Sequence, residues 1–429
     1  MDSTIEALPV RHLRMDRIRS CEGFEDGASR AVISALCPVC GYTLAASFFD
    51  GGRQPLATLG WPGSAEKART MPLHALDWVQ CPQCSHVWNR SFCYEAIPYA
   101  SSPNRMFNSS GIWAGHLAGT RDLVLSYLPE CPTVLDIGCG EGHFVRGIAE
   151  ALSGHGRFVG FDPNATGESG KGVEFHARLF EPLLDMAKFA PDVVIIRHVL
   201  EHLTNPAAFV EQLGWAAAQR DRPVWLFAEV PCIDRIAETG RLADFFFEHP
   251  SHFSTASFTA LMQRAGKVET LKYGYAGEVV FALVQLGARP AARQRVAAAA
   301  RFRLAASASR TRIGAQLDAL AASGRRVAIW GGTGKAAAFI NLFNADARRF
   351  PLVVDSDLGK TGTFVPGTGQ EIVFRDVLKT HPADVVIIPS QWRARDIIAE
   401  MARESIDAGQ VLIEHEGSLV DFALARHPY

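Results

Sequence analysis

The segment Val134-Leu-Asp136-Ile-Gly138-Cys-Gly140-Glu-Gly142-His-Phe144 sets the tightest limit on what this chain can fold into. An apolar stretch, Thr133-Val-Leu-Asp136, runs into three glycines at alternate positions, and a helical pattern follows. Glycines permit a tight turn and a close approach of backbone to ligand, and the helix N-terminus behind them adds partial positive charge. The pattern is D-x-G-x-G-x-G and not the dinucleotide G-x-G-x-x-G. Asp162, in Gly160-Phe-Asp162-Pro-Asn164, closes the next apolar stretch 20 residues beyond Gly142. A carboxylate there can accept both hydroxyls of a ribose. Further apolar stretches at Arg157–Phe161, Pro191–Ile196, Pro223–Phe227 and Glu278–Leu286 alternate with helical ones. This order predicts an α/β domain around a doubly wound, largely parallel sheet, with Glu278–Leu286 as its last strand.

A second constraint lies upstream. Cys37-Pro-Val-Cys40 and Cys81-Pro-Gln-Cys84 are two CxxC knuckles separated by 40 residues. Each can place two thiolates on one tetrahedral ion, so the quartet predicts a closed structural zinc site without a catalytic position. The long gap requires inserted structure between the knuckles. His86, beside the second knuckle, reads as a surface residue. The other five of the nine cysteines are scattered, which excludes a disulfide scaffold.

Composition narrows the class. With 43 Lys+Arg against 45 Asp+Glu in 429 residues, the net charge is −2, so no global basic bias points to nucleic acid. No apolar run reaches the ~18 residues of a membrane span. The N-terminus lacks the apolar core of a secretory signal, and a cytoplasmic protein is expected. The expected organisation is a loosely ordered stretch over 1–30, a zinc-binding domain over 31–103 and the glycine-loop domain over 104–288. A connecting helix over 289–323 follows, on the order of 45 Å long, then a second, Rossmann-like α/β domain over 324–429.

Two histidine-bearing segments carry candidate chemistry. In Arg197-His198-Val-Leu-Glu201-His202, the histidines follow a strand, at the sheet edge where ligands bind. They are four apart, on one face if that turn is helical. In Asp244-Phe-Phe-Phe-Glu248-His249-Pro-Ser-His252, two histidines and a glutamate sit in an aromatic stretch that reads as a pocket. Paired histidines raise the question of a metal, but HExxH is absent and that reading is discounted. In the C-terminal domain, Gly331-Gly-Thr-Gly334-Lys335 is not a Walker loop, because the spacer is short and Ala336 replaces Ser/Thr. Asp355 stands 24 residues beyond Gly331, at dinucleotide-like spacing.

The glycine loop with Asp136 and Asp162 resembles motifs I and II of class I S-adenosylmethionine (SAM) methyltransferases. From about residue 35 to 415 the chain resembles the three-domain sugar C-methyltransferases of deoxysugar pathways, the tetronitrose and mycarose type. The CxxC pairs, Gly51–Ala57, Pro98-Tyr99-Ala-Ser-Ser, Glu201-His202, Glu248-His249, Trp330–Lys335 and Pro366–Gly369 carry the likeness. The resemblance implies SAM bound by Asp136, Gly138, Gly140, Gly142, Asp162 and His198, and zinc held by Cys37, Cys40, Cys81 and Cys84. It also implies a nucleotide-linked keto-sugar substrate, and a C-terminal domain that has lost a nicotinamide role. His249 is implied as general base for enolate formation, with an ordinary His pKa near neutrality. Glu248 orients it or binds a sugar hydroxyl, His202 polarises the keto oxygen, and Tyr99 closes the site. The family segment reads Tyr-x-Glu-His followed by a second Tyr, whereas Phe246 and His252 stand at those places here. An O- or N-methyltransferase on another natural-product or polysaccharide intermediate is the alternative, and a nucleic-acid methyltransferase a further one. A monomer is compatible with everything above.

Overall fold

The computed structural model describes residues 32–59, 61–99, 110–165 and 172–429. The stretch 1–30 and most of the segment after Tyr99 lie outside the described residues. Two compact units divide at Pro290/Ala291.

The first unit holds two sheets. Strands β1 (Val32–Ser34), β2 (Leu44–Gln54), β3 (His74–Gln80) and β4 (Val87–Asn89) form an antiparallel meander that carries the cysteine knuckles. Each knuckle closes on itself. Gly41 N donates to Cys37 O at 3.0 Å and Ser85 N to Cys81 O at 2.8 Å, with Gly41 and Ser85 at φ +79° and +61°.

The second sheet contains β5 (Thr133–Ile137), β6 (Arg157–Phe161), β7 (Val173–His176), β8 (Val193–Arg197) and β9 (Trp225–Pro231). The two-residue β10 (Ser251–His252) precedes β11 (Gly266–Gly274) and β12 (Val279–Leu286). The seven strands order as β11-β12-β9-β8-β5-β6-β7, parallel except for the pairings of β12 with β9 and β11. The expected strands are present. β7 and β11 escape the sequence reading because they are edge strands of mixed polarity with no clean apolar run. Their pairing comes from the neighbouring strand and not from their own pattern.

β10 does not join this sheet but pairs antiparallel with β4, as Ser251 with Trp88 and His252 with Val87. The cysteine module is therefore completed by a strand some 160 residues away. His86 is fully buried at this junction and not on the surface as expected. Its Nε2 lies 3.2 Å from Ser251 Oγ, and its ring packs 4.8 Å from that of Phe253. Burial pushes its pKa down to about 3, so it stays neutral. Phe245 and Phe247 sink into an apolar cluster with Leu76, Trp78 and Val87, which fixes the backbone on either side of Phe246 and His249.

The second unit has β13 (Val327–Trp330), β14 (Leu352–Asp355), β15 (Ile372–Phe374), β16 (Ala383–Ile388), β17 (Ala408–His415) and β18 (Ser418–Asp421). Their order is β15-β14-β13-β16-β17-β18, with only β18 antiparallel. The helix Pro290–Ala322 lies where a connecting helix is expected, and from Ala291 on it belongs to this unit. Ile313 and Leu317 are fully buried in the unit's core, and Gln316 exchanges two 2.8 Å hydrogen bonds with the Leu419 backbone. It is a cover on this sheet, with a long exposed first half.

Candidate active site

The glycine loop follows β5, as the spacing demands. Gly138 N donates to Phe161 O at 2.7 Å, and Gly138 adopts φ +69°. A Cβ there would lie 2.2 Å from Val199 Cγ2, and one at Gly142 (φ +78°) would lie 2.4 Å from Phe175 Cζ. Only glycine fits either position. Gly142 caps the helix His143–Ala151, whose N-terminus faces the loop. Asp162 braces this turn by accepting from Gly140 N at 3.1 Å and Asn164 N at 2.8 Å. Each carboxylate oxygen keeps a lone pair for a ribose hydroxyl. Asp136 is buried at the end of β5; burial raises its carboxyl to about 7 against the pull of Arg197. The cradle fits SAM, since it is a backbone surface that any side chain would fill.

Gly138→Ala is expected to weaken binding of S-adenosylhomocysteine at least tenfold in calorimetry. The backbone strain alone is on the order of 1–3 kcal/mol, and the Val199 clash adds to it. Val199→Ala in the same chain should recover part of the loss. Unchanged affinity would remove the loop from the cofactor site.

Beside the loop lies a cavity of about 280 Å³, lined by His198, Glu201, His202, Phe246, His249 and His252, among others. The two histidine segments therefore meet, although 46 residues separate His202 from Glu248. His198 and His202 do not share a helical face, because His198 has φ +54° and only Leu200–His202 forms a short 3-10 turn. They line the same cavity with different partners.

His202 Nδ1 lies 2.7 Å from the Glu248 carbonyl oxygen and 2.9 Å from Tyr99 Oη. A carbonyl only accepts, so Nδ1 carries the proton and Nε2 of the neutral ring holds a lone pair. Tyr99 Oη also donates to Glu248 O at 3.2 Å. Tyr99 thus stands on the Nδ1 side of His202, where it steadies that ring. The Ala100–Ser102 part of its segment lies outside the described residues.

Glu248 does not take the first of its two expected roles, that of orienting His249. Its Oε1 accepts from Thr58 N at 2.7 Å, Thr58 Oγ1 at 3.2 Å and Leu59 N at 3.1 Å. The fully buried carboxylate is turned to the loop after β2 and does not orient His249. His249 packs 4.2 Å from the Phe246 ring and 4.7 Å from the His202 ring. Burial and the neighbouring imidazoles push its pKa well below the ordinary value, contrary to the near-neutral expectation. His252, wedged between Trp78 and Phe245, is lowered to about 3 by burial.

His198 sits in a network that sequence reasoning missed. Glu229, fully buried in β9, accepts from Arg197 at 2.7 and 3.1 Å and from His116 Nε2 at 2.6 Å, with His198 Nε2 at 3.3 Å. Burial favours protonation of Glu229, but these partners hold it well below the usual carboxylate range. Burial likewise opposes charge on His198, yet Glu201 and Glu229 on its two sides outweigh it and raise it to about 9. The one available signal was a lone Glu in the apolar run Trp225-Leu-Phe-Ala-Glu229-Val. Glu229→Ala is expected to cost about 3–5 kcal/mol of unfolding free energy, since it strands a buried guanidinium. Urea unfolding would measure it, and a loss under ~1 kcal/mol would show that the network contributes little.

The four cysteines converge. Cys37 and Cys84 Sγ are 3.7 Å apart and Cys40 and Cys81 Sγ 3.5 Å, and all four lie within 4.8 Å of one another. Metal–sulfur bonds of ~2.3 Å put tetrahedral sulfurs ~3.8 Å apart, so the quartet fits a zinc ion. In the second unit, Asp355 accepts from Lys360 Nζ at 3.1 Å and Asp357 N at 3.0 Å.

Residues 113–267 match the model of a methyltransferase domain, and residues 283–414 that of a C-methyltransferase C-terminal domain. No curated protein matches the chain. Among solved structures, the chain is similar to the N-methyltransferase NodS of Bradyrhizobium japonicum, at 15% identity over 42% of this chain and 99% of that one, with a TM-score of 0.31. It is similar to magnesium protoporphyrin IX methyltransferase of Synechocystis, solved with S-adenosylhomocysteine, at 16% identity over 42% and 89%, TM-score 0.30. The mitomycin 7-O-methyltransferase MmcR matches at 20% identity over 41% and 55%, TM-score 0.31. At these scores the likenesses decide nothing about chemistry. The two domain matches, on the strand order described above, assign a class I methyltransferase fold followed by a C-methyltransferase C-terminal domain.

Proposed function

We propose that this SAM-dependent methyltransferase alkylates a carbon alpha to a carbonyl, on a nucleotide-linked keto-deoxysugar, through an enolate formed in the histidine-lined cavity. The observation that carries the reading is the pair His202 and His249 in one cavity beside the glycine loop, in a chain with a C-methyltransferase C-terminal domain. SAM, held by the glycine loop with Asp136 and Asp162, supplies an already activated methyl group. The remaining task is to make carbon nucleophilic, which requires a base for the alpha proton and a donor for the developing oxyanion.

The tautomer divides these roles. With Nδ1–H spent on the Glu248 carbonyl, His202 offers a lone pair at Nε2 and takes the proton. His249 is kept neutral by its surroundings and retains an N–H to polarise the carbonyl oxygen. This reverses the expected assignment, in which His249 was the base and His202 the polarising group. Tyr99 and Glu248 act through position: the first steadies the His202 ring and the second ties the 245–249 segment to Thr58 and Leu59. Phe246 lines the cavity with an apolar ring where a tyrosine would add a hydroxyl, so the oxyanion depends on imidazole. A zinc ion on the cysteine quartet would support the fold and take no part in this step.

The test incubates the protein in heavy water with thymidine-diphosphate 4-keto-deoxysugars, with and without SAM, and reads products by mass spectrometry. Deuterium uptake without SAM and a carbon-bound methyl with it are expected. A methyl found on oxygen or nitrogen, without exchange, would overturn the enolate reading in favour of O- or N-methylation.

A further inference from the structure

Glu201 poses a problem that the proposed reaction does not solve. It is 1% exposed, and among the described residues neither carboxylate oxygen receives a hydrogen bond. Its ion-pair partner among the described residues is His198 Nδ1, at 3.5 Å, a ring whose Nε2 side is shared with Glu229. Arg197, the other nearby cation, is spent on Glu229. A buried carboxylate whose two oxygens both keep their lone pairs is a ready ligand for a cation.

The surroundings supply the rest of a coordination set. One ligand atom each from Glu201, His202 and His249 lie within 4.8 Å of one another. Bonds of ~2.0–2.1 Å bring ligand atoms to ~3.3 Å, a closure within reach of side-chain rotation. His202 already has the arrangement of a metal ligand, with one ring nitrogen anchored to a backbone carbonyl and the other left with a lone pair. Two imidazoles and one carboxylate suit zinc, cobalt or nickel rather than magnesium or calcium, and three protein ligands leave open positions. The HExxH argument against a metal concerned neighbours on one helix, whereas these ligands come from two segments that only the fold joins.

We propose that Glu201, His202 and His249 form a second metal site, separate from the cysteine quartet, which takes a divalent transition ion and thereby blocks the cavity's proton transfer. Binding of an ion and acceptance of a proton need the same His202 lone pair and exclude each other. The binding half stands on geometry alone; the blocking half rests on the proposed function.

Full-length protein equilibrated with zinc chloride and desalted is expected to hold two equivalents by elemental mass spectrometry. Glu201→Gln, nearly isosteric, and His249→Ala should each hold one. Replacement with cobalt chloride gives a second readout: sulfur charge-transfer bands report the cysteine site, and added visible bands without them report the nitrogen–oxygen site. Both variants should lose only the latter, which also shows that the cysteine module remains folded. Saturation of the wild type at one equivalent, or two equivalents in Glu201→Gln, would overturn the site. Zinc should slow substrate deuterium exchange at least tenfold, and a weak chelator that leaves one equivalent bound should restore it. Two equivalents with exchange indifferent to zinc would overturn the blocking half alone. Two equivalents with no exchange under any condition would leave the metal site and remove the enolate reading.

Discussion

Replacing His202 with asparagine is expected to abolish both deuterium exchange and methyl transfer, while S-adenosylhomocysteine binds as before. Asparagine can keep the donor to the Glu248 carbonyl, now occupied by Nδ1 at 2.7 Å, but has no counterpart of the Nε2 lone pair. General-base loss predicts a fall of about 10²–10⁴-fold. His249→Asn should lower methyl transfer while leaving measurable exchange, because it removes polarisation and keeps the base. If the pattern is inverted, with exchange lost in His249→Asn and kept in His202→Asn, the roles return to those the family resemblance implies. If both variants retain full activity, the cavity is not the site of chemistry. Tyr99→Phe is the finer probe, since it loosens the ring without deleting it.

Loss of metal binding by the cysteine quartet should have the larger structural effect. Cys81→Ser, at a fully buried knuckle position, is expected to yield protein that fails to accumulate in soluble form. Structural zinc contributes an apparent ~10–16 kcal/mol in small zinc modules, which matches or exceeds the ~5–15 kcal/mol stability of a typical domain. The damage should spread, because β4 of the cysteine module pairs with β10, and β10 follows His249 by two residues. Hydrogen exchange on chelated wild-type protein would show it as lost protection at both β4 and the 245–252 segment. Loss confined to residues 32–97 would mean that the module is an independent appendage.

Much of the fold was legible in the sequence. β5, β6, β8, β9 and β12 are each apolar runs, and the turn after β5 can be built only with glycines. The edge strands β7 and β11 were not legible, since edge pairing needs no apolar face. His86 was misread because burial depends on what covers a residue, and its cover, Ser251 and Phe253, is far away in sequence. The likeness to known methyltransferases named Glu248 and Tyr99, but not the contacts they make. Glu248 answers to Thr58 and Leu59, 190 and 189 residues distant, and no local pattern announces that.

By itself the sequence determined what short-range geometry determines. Two CxxC turns present paired thiolates whatever lies between them, and D-x-G-x-G-x-G after a strand makes a ligand cradle from backbone alone. Only the tertiary structure decided the charge and proton state of the cavity. Glu229 and Arg197 face each other across paired strands, His198 is held between two carboxylates, and the Glu248 carbonyl fixes the His202 tautomer. Protonation follows from burial and from partners within a few ångströms, and in this protein those partners come from strands and loops that meet only once the chain has folded.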